Sequence, residues 1–369
     1  MTIQNNGRAR PLAALVVLTL SIPCSAAPAD ARSQLDEAYA LTRSAETVED
    51  CATILRLCEQ AGAAELPEDL AAYRNRLLSW TYNHRGELWV KQAATRPQPA
   101  DERTRKMEAQ ALADFQRALH YDPQRWKALH NRAVSYASLG KYEDAVSDFK
   151  RVLQIAPNYA SARFNLGEIY RELGQFPLAI THYTEALRLE PNDPAAHLGR
   201  GRSHEGLGQV SEALRDYERA IALDPRNGET RAFRGGACQA LGQWEQAAVD
   251  LREACRLRPN AAGILRAAAW LMATCPEARY RQPQLAVQTA ERAVELADAD
   301  DYLYLDTLAA AYAGADRFAD AARTAQTALD CVPTGVDRTA LQRRLELYRK
   351  GEAYRQPAVT PPVSESVPR

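Results

Sequence analysis

Small and apolar residues recur through the middle of the chain in paired runs with helical spacing. Leu166, Gly167 and Tyr170 belong to one run, and Ala179, Tyr183 and Ala186 to the next, at the i, i+4 and i+7 steps that line one face of an α-helix. Gly174 separates the two runs and Pro191 follows the second. A glycine can take the positive φ that closes a helix, whereas a proline removes a backbone donor and crowds the preceding turn. The pattern therefore predicts two helices joined by a tight turn and stopped by proline. Small side chains at Gly167 and Ala179 allow the helices to approach closely, and Tyr183 fills the volume beside them.

This unit repeats. Pro123, Pro157, Pro191, Pro225 and Pro259 stand 34 residues apart. One column at that period is all glycine (Gly140, Gly174, Gly208, Gly242) and another all alanine (Ala145, Ala179, Ala213, Ala247). The first helix contributes Ala133, Gly167, Gly201 and Gly235, then Tyr136, Tyr170, His204 and Cys238. The second helix contributes Phe149, Tyr183, Tyr217 and Leu251, then Val152, Ala186, Ala220 and Ala254. A single hairpin of this kind cannot cover its own apolar face, so neighbours must stack. The expected fold is all-α, an α-solenoid of tandem hairpins wound as a right-handed superhelix.

The pattern Asn165-Leu166-Gly167-x-x-Tyr170, with Gly174, Ala179, Tyr183, Ala186 and Pro191, closely resembles the tetratricopeptide repeat, and four in-phase copies span 126–259. Upstream, 67–125 reads as a further pair whose halves, 70–92 and the run through Ala111, Phe115, Ala118 and Pro123, are separated by an exposed loop over 95–107. An atypical pair over 31–66 reads as the N-terminal cap. Downstream, 260–335 holds two more pairs, the first split by a loop over 274–282, and 336–355 reads as a capping helix. Residues 356–369 carry four prolines and are expected to be disordered. The segments around 269–287, 304–313 and 345–356 resemble a recurring C-terminal pattern of secreted bacterial tetratricopeptide repeat proteins, a group to which the resemblance attaches no activity.

The first 26 residues read as a secretory signal. Arg8 and Arg10 precede an apolar stretch over 12–20, followed by Cys24-Ser25-Ala26-Ala27, with cleavage expected after Ala26. An uncleaved anchor and lipid attachment at Cys24 are the alternatives, but Pro23 stands where a lipidation motif needs a small residue. No second apolar segment approaches the roughly 20 residues of a membrane span, so no integral span is expected in the mature chain.

Composition narrows the chemistry. Lys+Arg 46 against Asp+Glu 47 leaves a net charge of −1, without the global basic field of a nucleic-acid binder. The seven cysteines follow no zinc spacing. Cys51 and Cys58 lie too far apart along one helix to pair, and Cys238 and Cys255, on the two helices of one repeat, are the conceivable bridge. Six histidines show no HExxH pattern and no grouping with carboxylates in the sequence. No phosphate loop, nucleophile elbow or cofactor motif is present, so no catalytic residue, metal or cofactor is expected.

What remains is a surface. First helices line the concave face of such superhelices, and their positions here include Asn131, Asn165, Glu168, Arg171, Glu172, Arg202, Glu205 and Gln239. The mixed charges read either as a groove for an extended peptide or as mutually paired, solvated helix faces. The lysine clamp with which some tetratricopeptide repeat domains hold a chaperone C-terminus has no counterpart, because His130, Phe164 and Leu198 stand at its lysine positions. The expected function is a non-catalytic protein-interaction scaffold, exported to the periplasm or beyond, with a protein or extended-peptide partner. The rival readings are a structural subunit of an envelope complex and an enzyme whose site sits on the inserted loops.

Overall fold

The computed structural model describes residues 29–62, 65–95, 101–297 and 301–358, which fold as helices and connecting turns with no β-strand among them. The predicted signal segment lies outside the described residues, as do most of the proline-rich tail and residues 96–100 of the predicted loop. Two compact units divide at Leu189 and Glu190.

The first unit holds four hairpins in chain order. They are α1 (Ala29–Leu41) with α2 (Val48–Ala61), α3 (Glu68–Ala94) with α4 (Glu102–Tyr121), α5 (Trp126–Ser138) with α6 (Tyr142–Ile155), and α7 (Ala160–Glu172) with α8 (Phe176–Leu189). The second holds α9 (Pro194–Gly206) with α10 (Val210–Leu223), α11 (Gly228–Ala240) with α12 (Trp244–Leu257), α13 (Ala262–Thr274) with α14 (Pro283–Leu296), and α15 (Tyr302–Gly314) with α16 (Phe318–Cys331), closed by α17 (Thr339–Arg349). Within each unit, each hairpin packs on the next, and first helices also touch first helices, as α13 does α11 and α15. The predicted all-α stack of hairpins is the architecture observed.

The sequence columns have direct physical roles. Ala145, Ala179, Ala213 and Ala247 are fully buried where two helices meet. A Cβ on Gly201 would lie 2.7 Å from the ring of Tyr217, itself fully buried. The turn glycines Gly140, Gly174, Gly208 and Gly242 all take φ near +70°. Each turn closes with a backbone amide reaching five residues back, as Gln175 to Tyr170 (2.8 Å) and Gln209 to His204 (2.9 Å), which satisfies orphan carbonyls at the helix end. The last hairpin makes the same bond from Arg317 to Tyr312 (2.9 Å), but with Asp316 at φ 60° in place of glycine.

Two predicted boundaries change. The loop expected over 95–107 is helical from Glu102, because Asp101 caps α4 by accepting from the Thr104 amide (2.6 Å). The capping helix expected over 336–355 is shorter, Thr339–Arg349, and ends at Gly351 with φ 74°. Residues 352–358 then run without regular structure back across the second unit, so the C-terminal segment is packed at its start where a free tail was expected from Gln356.

Candidate functional site

The strongest polar feature of the hairpins is one the sequence columns left unread. Arg132 grips Asp148 with two bonds of 2.7 and 2.8 Å, Arg200 grips Asp216 at 2.9 and 2.7 Å, and Arg234 grips Asp250 at 2.7 and 2.7 Å. Each pair joins the first helix to the second at a spacing of 16 residues, with the carboxylate buried and the guanidinium at the edge. Arg85 and Asp114 do the same between α3 and α4 at 2.8 and 2.7 Å. Bidentate geometry compensates the desolvation of the carboxylate and fixes the register of the hairpin. The second of the four repeats has Leu166 and His182 at these positions, and His182 stacks on Tyr170 with ring centroids 5.3 Å apart. The recurrence of Arg132, Arg200 and Arg234 with Asp148, Asp216 and Asp250 at the 34-residue period was the available signal.

The predicted peptide face is half buried. Asn131, Asn165 and Glu168, expected to be exposed, lie inside the stack. Asn131 donates to Asn83 (3.0 Å) and Glu87 (2.9 Å), tying α5 to α3. Burial opposes ionisation of Glu87, but bonds from His84, Asn131 and Asn83 outweigh it and hold the carboxyl below its usual range. Asn165 is buried, with neither side-chain polar atom bonded among the described residues. Glu168 accepts from the Tyr183 hydroxyl and from Arg171 (3.0 Å), and Arg171 also reaches the exposed Glu172 (2.8 Å). Burial, and then the Glu168 carboxylate, push the Tyr183 phenol far above its ordinary value. Asn131 braces its hairpin to the preceding one and Glu168 braces α7 to α8, because first-helix positions face other helices as well as solvent.

The second unit retains the accessible part. Arg202 is half-buried with its guanidinium 4.6 Å from the centre of the Phe233 ring, a cation–π contact. Glu205 is exposed and accepts from the Tyr217 hydroxyl (2.7 Å). Gln239 is half-buried and accepts a bond from Gln356 (3.4 Å). Against the reading of the sequence, histidines do meet a carboxylate here: His197 Nδ1 lies 3.1 Å from Asp216, and His204 Nε2 lies 4.0 Å away. Burial works against ionisation of Asp216, but the bonds from His197 and Arg200 prevail and keep it below its ordinary pKa. With Arg200 already bidentate, the cluster clamps the hairpin.

An apolar cleft of about 240 Å³ lies between α12, α13 and α14, lined by Leu251, Cys255, Leu271, Met272 and the Tyr280 ring among others. Burial raises the Cys255 thiol above its usual pKa, which keeps it protonated and a poor nucleophile. The six described cysteines, including Cys238 and Cys255, are free thiols. Among the described residues no group of three or more His, Cys, Asp or Glu converges as a metal site, and no helix is long and apolar enough to cross a membrane.

Tetratricopeptide repeat family profiles match residues 127–192, 164–227 and 198–262. No curated protein matches the sequence. Among solved structures, the pilF protein of Pseudomonas aeruginosa is similar at 15% identity and a TM-score of 0.52, over 62% of this chain and 96% of that one. A chain of the APC/C Cut9–Hcn1 hetero-tetramer is similar at 18% identity and a TM-score of 0.50, over 75% of this chain and 55% of its own length. A tetratricopeptide repeat protein from Parabacteroides merdae matches at 18% identity and a TM-score of 0.47, over 76% of this chain and 98% of that one. At these identities the likeness to the first two speaks to fold alone. The 34-residue columns, the hairpins they build and the matched profiles agree, and residues 127–262 of this chain are tetratricopeptide repeats.

Proposed function

We propose that this protein is an exported, non-catalytic scaffold that holds a protein partner, as an extended segment, against the first helices of its second unit. Tetratricopeptide repeats build protein-interaction scaffolds. The observation that carries the finer reading is the placement of Arg202, Glu205 and Gln239 on the stacked helices α9 and α11, where each keeps accessible surface. Cationic, anionic and carboxamide groups on neighbouring helices suit the alternating donors and acceptors of an extended backbone. Export is read from the basic, apolar and small-residue run ending near Ala26, and an exported scaffold meets its partner in the periplasm or outside the cell.

Co-purification from envelope extracts tests the reading. The double variant Arg202→Glu with Gln239→Lys changes the accessible face and leaves the buried braces alone. Lower recovery of the partner captured by the wild-type chain is expected. Equal recovery removes this face from the account. Cell fractionation, with N-terminal sequencing of the mature protein, tests export; a cytoplasmic chain beginning at Met1 ends that part of the proposal.

A further inference from the structure

Part of the first-helix face of the second unit is already occupied. Beyond Gly351 the chain leaves α17 and reaches the first helices α13 and α11. The ring of Tyr354 packs on Trp270 of α13, with centroids 5.8 Å apart. Arg344 lies 5.4 Å from both ring centres and is held from below by two bonds to Asp306, 2.9 and 2.7 Å. Arg355 donates to the carbonyl of Ala273 (3.0 Å). The backbone amide of Gln356 donates to the carbonyl of Thr274 (2.9 Å), and its side chain donates to the Thr274 hydroxyl (2.8 Å) and to Gln239 (3.4 Å).

A terminal cap has only to cover the last hairpin, and α17 already does so by burying Leu341, Leu345 and Tyr348 against α15 and α16. The segment after it does something else. It reaches partners 82 and 117 residues away in sequence, and it bonds through main chain and carboxamide as a ligand would.

We infer that the Trp270–Thr274 end of α13, together with Gln239, is a recognition site for an extended aromatic–Arg–Gln segment, filled in the free protein by its own Tyr354-Arg355-Gln356. The external occupant is a partner protein that presents the same three side chains in extended form. The aromatic ring supplies the stack on Trp270 and Arg344, the guanidinium reads the helix-end carbonyl of Ala273, and the carboxamide reads Thr274 and Gln239. The covalent tether gives the internal copy an effective concentration on the order of millimolar, so a partner binds only if it is offered in excess or pulls the segment away. The inference rests on the peptide-binding reading above, but its test needs only purified protein, so its failure leaves partner capture in the cell undecided.

The test uses the full chain and a fluorescein-labelled synthetic peptide of the sequence at 350–358, KGEAYRQPA. In the variant Tyr354→Ala with Arg355→Ala and Gln356→Ala the site is vacated. Fluorescence anisotropy should then show binding at least 10-fold tighter than to the wild-type chain, lost again when Trp270→Ala is added. A helical, cooperatively melting triple variant that ignores the peptide overturns the inference, as does equal affinity for variant and wild type. Should the triple variant not fold, hydrogen exchange on the wild-type chain decides. Millimolar unlabelled peptide should accelerate exchange of the Gln356 amide, and an unchanged rate refutes the site.

Discussion

Replacing Gly201 and Gly236 by alanine makes the same chemical change in two helices of the second unit. It should stabilise the protein at Gly236 and fail to do so at Gly201. Both glycines lie inside helices, α9 and α11, so each substitution gains about 1 kcal/mol of helix propensity. Around Gly236 nothing stands within 4 Å of where an alanine methyl would sit, and the gain stands alone. At Gly201 the methyl would meet the Tyr217 ring at 2.7 and 2.9 Å and the Ala213 carbonyl at 3.2 Å. The ring cannot swing aside freely, because it is fully buried and its hydroxyl is bonded to Glu205. Overpacking of this kind costs about 1–3 kcal/mol. Gly236→Ala should therefore stabilise by about 1 kcal/mol, and Gly201→Ala should be less stable than Gly236→Ala by about 1–3 kcal/mol. Urea titration followed by helical circular dichroism measures both, and for a unit of this size each kcal/mol moves the midpoint by roughly 2–4 °C in a thermal scan. If Gly201→Ala proved as stabilising as Gly236→Ala, the close approach of α9 to α10 would be wrong.

Four further outcomes follow from the same structure. Asp316→Gly relieves a positive φ at a non-glycine residue and should raise stability by about 0.5–1 kcal/mol in the same titration; a loss would mean that the Asp316 side chain matters more than its backbone. In the first of the four repeats, Arg132→Leu alone strands the buried Asp148 and should cost about 3 kcal/mol or more. Adding Asp148→His reproduces the Leu166 and His182 pair of the next repeat and should recover much of that loss, and a double-mutant cycle without coupling would refute the brace. His130 is buried with neither ring nitrogen bonded, and burial lowers its pKa to about 4 against 6.5 when unfolded. The unfolded chain therefore binds the extra proton between those values, and stability should fall as pH drops from 6.5 to 4, by about 3 kcal/mol in full, and level off below. His130→Phe, the residue type at Phe164 one repeat on, should flatten that slope; an unchanged slope would place the titration elsewhere. Burial pushes the Cys51 and Cys58 thiols up to about 12, so both should ignore a thiol reagent at pH 8 until the protein is unfolded, when mass spectrometry should find both labelled; labelling of the native protein would contradict their burial.

The hairpins were legible in the sequence because each column has one dominant physical cause. Gly174 needs a positive φ, Ala179 needs a small volume and Tyr183 fills a void, so residue type alone reports the role. The peptide face was less legible, since a polar residue on a first helix can point at solvent, at its own second helix or at a neighbouring hairpin, and periodicity does not separate these. Asn131 and Glu168 turned inward for that reason, each satisfied by a partner on another helix. The docked segment after Gly351 was hidden by its composition. Tyr354 and Arg355 read as the end of the capping helix and the prolines from Pro357 as a free tail, yet an irregular backbone can be packed when Trp270 and Thr274 supply its partners.

The Arg–Asp clasps carry an implication for how such a chain lengthens. In the three repeats between Pro123 and Pro259 that carry a clasp, both members fall between consecutive boundary prolines, as Arg234 and Asp250 do between Pro225 and Pro259. Duplication or deletion of one cassette, cut at those prolines, therefore never separates a carboxylate from its guanidinium. Unequal recombination at those boundaries would add or remove whole hairpins while leaving each of these three clasps intact.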